Sequence, residues 1–492
     1  MNRFSLVLLF GALAFSACDT ADLSDSAVVA SAKKGATTAP STVETAPVSL
    51  NGVVDTPVAR HMVTGRRLPG DLAASVEALG GTVSFQHPIG FAIVDGLSDA
   101  DAVELAAVRG IDAIEADFTF EREPDAQLEA VEASLDSPAD AVFYQRGYQW
   151  HMDAIGAPTA WAAGRTGSSD VTVAIIDSGL DPTHADLAGL VDEENSISFL
   201  EDPFEDLIRN AYFPGAPDWT DLNSHGTHVG ATVASNGIVG AGVTENVTLM
   251  AVKVCRYSNS CSGAAIIAGI LHAADKGADV ANMSLGGNFS KGDIARAGFA
   301  GYVGFLNKTF TYASRQGMTI VVSAGNESID LDHDGDAYKT YCSTPGTVCV
   351  SATGPQATDD IRVGPFYDIK APASYTNYGR SAVDLAAPGG DSNGFVWAAC
   401  SSTRVQVQDG FIVRSVCTQS KGYITGKAGT SMAAPHVSGL AALLVEDYGR
   451  SPSRIQNRMA QTAEDLGQRG VDPFYGKGYI DVPAALGLGV DA

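Results

Sequence analysis

Short apolar runs recur through the C-terminal two-thirds of the chain. Many of their residues are β-branched, as is typical of strands buried on both faces of a parallel sheet. The clearest runs lie at residues 171–176, 249–254, 280–284 and 319–323. Helical patterns lie between them, for example over 263–276. This alternation, from about residue 144 to the end of the chain, predicts an α/β domain with a mostly parallel central sheet covered by helices on both faces.

A smaller pattern of helices and strands precedes this domain, over residues 59–122. The first expected helix has apolar residues at helical spacing and ends at Gly80-Gly81, and the second begins with Ser98 as a cap. The expected elements are a helix over 72–79, strands over 82–85 and 90–94, a helix over 98–108 and a strand over 113–120. We therefore expect a small α+β domain here, followed by a connecting segment over 123–143.

The first residues indicate export. Residues 4–17 form an apolar stretch that is too short to cross a bilayer as a helix. With Cys18 after it, the segment 1–18 is similar to a bacterial lipoprotein signal in which Cys18 is acylated. Ordinary signal cleavage after Ala14 is the alternative. Residues 19–58 are rich in Ala, Thr, Ser and Val, which predicts a linker. We expect a bacterial protein that is secreted or held at the cell envelope.

Charge narrows the classes of partner. The 492 residues include 31 basic and 57 acidic side chains, which gives a formal net charge of −26. Such a surface repels nucleic acid and anionic membranes. We therefore expect no nucleic-acid partner and membrane contact only through a lipid on Cys18 of the precursor. We also expect a monomer.

The cysteines suggest disulfide bonds. There are seven, and the six that remain without Cys18 all lie in the C-terminal two-thirds. An even number in an exported protein favours disulfides, although six cysteines allow 15 connectivities and buried free thiols remain an alternative. The least entangled pairing joins Cys255 with Cys261, Cys342 with Cys349, and Cys400 with Cys417.

Three polar residues stand at the edges of predicted elements. Asp177 follows the strand 171–176, His225 opens a helix of small residues, and Ser431 lies where another helix begins. Serine becomes nucleophilic when a base takes its proton and a carboxylate orients that base. Each residue also has a plainer interpretation, as a turn aspartate or a helix-capping residue. His225 and His228 could instead bind a metal, but the HExxH motif of zinc hydrolases is absent.

The motifs around these residues resemble those of the subtilisin-like serine proteases. The chain order Asp…His…Ser is the order of that family, and the segments 225–228 (HGTH) and 429–439 (GTSMAAPHVSG) are similar to its motifs. The resemblance covers about residues 145–485. It implies a three-layer subtilisin-like fold and a serine endopeptidase that acts on proteins or peptides.

The resemblance also implies roles for individual residues. It makes Ser431 the nucleophile, His225 the base, Asp177 the group that orients this base, and Asn326 a donor to the oxyanion. The glycine-containing segment after the strand 280–284 would pair with the substrate backbone. Its residues are Ser284, Leu285, Gly286 and Gly287.

By position, the small domain 59–122 resembles the inhibitory and chaperone-like propeptide of these proteases, although an unrelated module is the alternative. Residues 123–143 would then include the processing region and 144–492 the peptidase domain. No cofactor is required. The resemblance allows structural calcium, for which Asp332, Asp334 and Asp336 in an acidic loop are candidate ligands.

The sequence therefore predicts a serine endopeptidase that is exported as a zymogen and acts through an acyl-enzyme. Two other functions stay open. One is a catalytically inactive binding protein that retains the protease fold, and the other is a different acyl hydrolase, such as an esterase.

Overall fold

The computed structural model describes residues 59–122, 126–128, 130–132, 141–286, 288–290, 300–335, 337–339, 341–408 and 411–488. The chain divides into a unit of Met1–Ala46 and a unit of Pro47–Ala492, and the second unit contains all described residues. The signal segment with Cys18, the linker 19–58, Gly287 and Asp336 lie outside the described residues. The expectations for them stay predictions.

The N-terminal described residues form a small α+β domain. Its elements are β1 (Arg60–Thr64), α1 (Leu72–Ala78), β2 (Thr82–His87), β3 (Phe91–Asp95), α2 (Asp99–Ala106) and β4 (Ala113–Ala116). The strands form an antiparallel sheet in the order β2-β3-β1-β4. The Ser98 side chain caps α2 by accepting a hydrogen bond from the Asp101 N–H, as its sequence predicts. Strand β1, which lies inside this sheet, has no counterpart among the sequence predictions.

The remaining elements build the large domain and its edges. The helices are α3 (Val142–Gln145), α4 (Trp150–Ala154), α5 (Ala157–Ala162), α6 (Pro203–Tyr212), α7 (His225–Val233), α8 (Gly263–Asp275), α9 (Ala300–Arg315), α10 (Thr430–Tyr448), α11 (Pro452–Thr462) and α12 (Val482–Ala485), with a 3₁₀ helix at Val416–Gln419. The strands are β5 (Thr119–Glu121), β6 (Ala126–Gln127), β7 (Val131–Glu132), β8 (Thr172–Asp177), β9 (Ile197–Ser198), β10 (Thr248–Lys253), β11 (Ser260–Ser262), β12 (Val280–Met283), β13 (Asn288–Ser290), β14 (Thr319–Ser323), β15 (Ala337–Lys339), β16 (Thr347–Thr353), β17 (Ala357–Thr358), β18 (Phe366–Tyr367), β19 (Leu385–Pro388), β20 (Val396–Ala399), β21 (Val405–Gln408), β22 (Phe411–Arg414) and β23 (Tyr423–Ala428).

A seven-stranded parallel sheet is the centre of the large domain. Its strand order is β19-β16-β14-β12-β8-β10-β9. Because successive side chains of a strand point to opposite faces, Val173 and Ile175 pack in the core that contains α7 and α10. Ala174 and Ile176 pack in the core that contains α8 and α9. The three-layer α/β fold expected from the sequence is thereby confirmed.

Three disulfides connect neighbouring cysteines of the large domain. They are Cys255–Cys261, Cys342–Cys349 and Cys400–Cys417, the pairing that the sequence analysis singles out as least entangled. The third closes the longest loop, with a sequence separation of 17 residues. It joins the residue after β20 to the 3₁₀ helix before β23, the strand that leads into α10.

Candidate active site

Asp177 is the last residue of the central strand β8. The sequence analysis predicts it directly after the end of this strand. The Nδ1 atom of His225 lies 2.8 and 2.9 Å from its two carboxylate oxygens. Burial alone would raise the pKa of Asp177. Nearby His225, with smaller contributions from Arg122 and the Ser178 N–H, lowers this pKa below its usual value instead. The carboxylate is therefore ionised beside the imidazole at neutral pH.

His225 is held against Asp177 by close contact between the chain segments that follow them. A Cβ atom on Gly226 would lie 2.1 Å from the carbonyl oxygen of Gly179, so only glycine permits this approach. Ser178 Oγ accepts a hydrogen bond from the Gly226 N–H and donates one to Asp221. These contacts fix the first turn of α7 relative to the end of β8.

His228, the second histidine of the HGTH motif, does not belong to a group of potential metal ligands among the described residues. Its Nε2 lies 3.1 Å from the carbonyl oxygens of both Val396 and Thr425, so it connects α7 to β20 and β23. Two residues further along, a Cβ atom on Gly230 would lie 2.7 Å from the Leu180 side chain. Both contacts favour a packing role for this part of α7.

Ser431 is the second residue of α10 and lies beside the end of β12. Its hydroxyl donates a hydrogen bond of 3.3 Å to the Ser284 carbonyl oxygen, and the Ser284 hydroxyl donates one of 2.7 Å to the Ser431 carbonyl oxygen. Leu285 and Gly286, which come next, are buried. The structure therefore places the described part of the expected substrate-pairing segment next to the expected nucleophile.

Asn326 follows β14 and is tied to the residue before the nucleophile. Its side-chain oxygen accepts hydrogen bonds from the Thr430 N–H at 2.8 Å and the Thr430 hydroxyl at 2.9 Å. The same hydroxyl accepts a 2.9 Å hydrogen bond from the Gly325 N–H. These bonds fix the amide plane, and they direct the N–H donors of the amide away from Thr430.

A known protein family matches most of the large domain. The model of the Subtilase family matches residues 168–478, which is more than half of the chain and includes Asp177, His225, Asn326 and Ser431. The chain belongs to the subtilase family. The predicted family and its enzyme class, a serine-type endopeptidase, are confirmed at this level.

Individual relatives of this subtilase cover most of the large domain. Subtilisin DY of Bacillus licheniformis is 32% identical over 67% of this chain and 96% of its own length. Thermitase of Thermoactinomyces vulgaris is 29% identical over 71% of this chain and 99% of its own length. The thermophilic serine proteinase of Bacillus sp. (strain AK1) is 30% identical over 68% of this chain and 66% of its own length.

Solved structures extend the similarity in fold. The epidermin leader peptide processing serine protease of Staphylococcus aureus has a TM-score of 0.62 at 19% identity, over 89% of this chain and 100% of that one. Fervidolysin of Fervidobacterium pennivorans has a TM-score of 0.61 at 24% identity, over 88% of this chain and 61% of its own. Each of these matches covers more residues than the segment 144–492 contains. The similarity in fold therefore includes residues before 144.

Two short strands of this subtilase, β5 and β6, pair with strands that lie near Asp177 and Ser431. Strand β5 pairs antiparallel with β11, and the Arg122 N–H continues this pairing by donating to the Asn259 carbonyl oxygen. Strand β6 pairs antiparallel with β23, with Ala126 opposite Ala428, three residues before Ser431. Because the charge of Arg122 acts on Asp177, the first pairing ends close to Asp177.

The sequence analysis did not identify β11 or β23 as partners of this segment. Neither strand carries a local signal for the pairing, since the partners are more than a hundred residues apart in sequence. Their positions in the sequence give a weak signal for the pairing. Strand β11 leads directly into α8, and β23 leads directly into the Ser431 motif.

Asp332 of the acidic loop takes part in hydrogen bonds within the fold, and calcium binding there stays a prediction. The Asp332 carboxylate accepts hydrogen bonds from the backbone N–H groups of Arg380 and Ser381 and from the Ser381 hydroxyl. These hydrogen bonds hold the carboxylate against residues 380 and 381. Asp334 is exposed, and the described part of the chain contains no group of three or more His, Cys, Asp or Glu side chains that could hold a metal.

No helix among the described residues is long and apolar enough to cross a membrane.

Proposed function

We propose that this subtilase hydrolyses peptide bonds in proteins through an acyl-enzyme, with Asp177, His225 and Ser431 as its catalytic triad. The observation that carries the proposal is the hydrogen bonding of His225 Nδ1 to the buried Asp177 carboxylate at 2.8 and 2.9 Å. This contact orients the imidazole so that Nε2 is the atom available to act as base.

In the proposed reaction, the Ser431 hydroxyl exchanges its 3.3 Å hydrogen bond to Ser284 for one to His225 Nε2. His225 takes the hydroxyl proton as the oxygen attacks the substrate carbonyl, and then gives it to the leaving amine. Asp177 stabilises the imidazolium. Water hydrolyses the acyl-enzyme with His225 again as base, and no cofactor takes part.

The tetrahedral oxyanion would be held by the Asn326 side-chain N–H and by the backbone N–H of Ser431. The Asn326 oxygen bonded to Thr430 supports this role, because a fixed amide presents its donor without reorganisation in the transition state. Ser284, Leu285, Gly286 and Gly287 would pair with the substrate backbone. Structural calcium stays a prediction that the contacts of Asp332 do not favour.

We also propose that the enzyme is made as a zymogen with residues 59–122 as its propeptide. Three contacts support the proposal: His87 Nε2 lies 2.9 Å from the Asp275 carboxylate of α8, Phe91 stacks on Phe305 of α9, and β5 occupies the edge of β11 like a bound peptide. The peptide bonds between Arg122 and Ala126 lie in sequence between the paired strands β5 and β6. We therefore expect self-cleavage at one of these bonds.

Export is the remaining part of the proposal. If Cys18 is acylated, the lipid anchors the precursor only, because Cys18 precedes the propeptide. A mature enzyme that stays with membranes after cleavage would contradict this arrangement. Fractionation of cells that express the full chain measures it directly.

Casein hydrolysis by the processed enzyme, measured beside its Ser431→Ala variant, tests the proposed function. We expect casein cleavage and fluorophosphonate labelling of Ser431 in the enzyme, and neither in the variant. A folded enzyme that labels at Ser431 but hydrolyses only esters would be another acyl hydrolase. A folded enzyme without labelling or cleavage would be an inactive binding protein.

A further inference from the structure

A cationic cavity lies beside the strand pairing of β6 and β23. Its volume is about 540 Å³, and its lining includes Arg122, Gln127, Asn223, Tyr257, Arg404 and Lys427. Three of these side chains are cations, and none of the described residues that line the cavity carries a carboxylate. In a chain with a formal net charge of −26, three cations along one described lining favour an anionic ligand.

One neutral side chain of the chain itself lies between two of these cations. The Gln127 side-chain oxygen accepts hydrogen bonds from Arg404 at 3.3 Å and from Lys427 at 3.5 Å. Gln127 is also the residue of β6 that lies directly opposite Lys427 in the antiparallel register. Its amide oxygen thus occupies the place where a carboxylate oxygen of a glutamate at this position would lie.

The Gln127 side-chain N–H donates a 3.2 Å hydrogen bond to the Thr425 hydroxyl. On the oxygen side, a carboxylate in this register would gain stronger hydrogen bonds from the two cations than the amide does. Lys427 is 4% exposed with β6 in place, and burial lowers the pKa of Arg404, partly offset by nearby Asp221. Hydrogen bonds from cations to a carboxylate are shorter and stronger than those to a neutral amide. Asp221 is itself occupied, since it accepts hydrogen bonds from Ser178 Oγ and from the N–H and hydroxyl of Thr227.

The subsite lies on the leaving-group side of the bond to be cut. Strand β23 leads directly into Ser431, whereas the residues up to Arg122 pair with β11 on the opposite side of the catalytic groups. A substrate that takes the place of β6 would add a strand to β23 through main-chain hydrogen bonds. Its side chain in the register of Gln127 would then face Arg404 and Lys427.

We propose that Arg404 and Lys427 form a specificity subsite for an acidic side chain that follows the cleaved bond, in the register of Gln127. The inference rests on the proposed function and specifies a preference of the same cleft. Gln127 in the chain's own segment is then a neutral, more weakly held occupant, which leaves the subsite when substrate enters.

Peptides taken from the chain itself test this preference. Fluorogenic peptides spanning residues 115–135 would carry Gln, Glu or Lys at position 127 and be cleaved by the processed wild-type enzyme. We expect kcat/KM to be about tenfold higher for the Gln127→Glu peptide than for the Gln peptide, mainly through KM, and lower for Gln127→Lys. Equal kcat/KM for all three would overturn the inference, and cleavage of none would instead contradict the proposed function.

Enzyme variants assign the preference to the two cations. In an Arg404→Gln/Lys427→Gln variant the ratio of kcat/KM for the Glu and Gln peptides should fall to about one. A Lys276→Gln/Arg469→Gln control removes the same charge from exposed positions and should keep the tenfold ratio. If the cleft variant does not fold, salt decides the matter with the wild-type enzyme. A Glu preference that decreases between 0.05 and 0.5 M NaCl supports the subsite, and a preference that salt does not change contradicts it.

Discussion

At the scale of single residues, Asp177 shows how the fold sets up a reactive group. A buried carboxylate normally binds a proton more readily, because burial disfavours the charged form. Here the neighbouring imidazole and the Ser178 N–H lower the pKa of Asp177 below its usual value. A depressed pKa means that the stabilisation from this contact is present at neutral pH and is lost only as the pH falls through the folded-state value.

Replacing Asp177 with asparagine tests that role. The side chain keeps its size, but an amide N–H can then face His225 and favour the wrong tautomer. We expect kcat to fall by about 10⁴-fold, as in serine protease triads generally, while KM changes little. Steady-state kinetics on a fluorogenic peptide measure both constants. A loss of less than tenfold would show that the contact is structural only.

Asn326 and Thr430 form a second test at this scale. Asn326→Ala should lower kcat by about 10²–10³-fold with KM nearly unchanged, since it removes a donor that acts on the transition state. Thr430→Val removes one of the two bonds to the Asn326 oxygen and should cost less, about tenfold. Thr430→Ser retains the hydroxyl and should behave like wild type. Equal losses for the Val and Ser variants would contradict the positioning role.

At the scale of elements, the site depends on how closely α7 approaches the end of β8. Gly226 packs on the Gly179 carbonyl with no space for a methyl group. Gly226 comes directly after His225, and Gly179 lies two residues after Asp177. Helix α9 offers the opposite case, because nothing lies within 4 Å of a Cβ atom on Gly304. An alanine at Gly226 therefore tests close packing, whereas an alanine at Gly304 tests helix propensity alone.

The matched pair Gly226→Ala and Gly304→Ala makes this a measurable difference. In the Ser431→Ala background, which prevents self-digestion, Gly226→Ala should lower the free energy of unfolding by about 1–3 kcal/mol through overpacking. Gly304→Ala should be neutral or raise it by about 0.5–1 kcal/mol. Urea unfolding gives both values. Equal stabilities of the two variants would contradict the close approach.

Many of the strands and helices can be predicted from the sequence, for physical reasons. The β-branched runs predicted β8, β10, β12 and β14 because strands buried on both faces must be apolar throughout. Strand β1 was missed because its residues, RHMVT, mix polar and apolar types without a turn signal. Residues 113–120, expected as one strand, form β4 and part of β5, which pair with different partners. Such long-range pairing leaves no local pattern.

At the scale of the whole molecule, a buried histidine pair connects distant parts of the large domain. His151 Nδ1 of α4 lies 2.8 Å from His436 Nε2 of α10, and His436 Nδ1 lies 2.8 Å from the Met432 carbonyl oxygen. The Trp397 N–H of β20 lies 3.3 Å from His151 Nε2. This arrangement suits two neutral rings. Burial lowers the pKa of His436 to about 4 and that of His151 well below its usual value.

The pair predicts how stability depends on pH. Both folded-state pKa values lie below the unfolded value of about 6.5, so the unfolded state binds more protons in between. Stability should be full above pH 6.5 and fall as the pH decreases towards 4, by up to about 1.4 kcal/mol per pH unit for each histidine. In the Ser431→Ala background, His436→Gln should reduce this slope in urea titrations. An unchanged slope would show that other groups cause the loss.

We expect the whole chain to carry its own inhibitor into the cleft and to cut it there with Ser431. The most direct measurement is the intact mass of the full chain after refolding, beside its Ser431→Ala variant. We predict that the wild-type chain yields fragments separated between Arg122 and Ala126 and that the variant stays whole. Identical cleavage of both proteins at this place would contradict the claim.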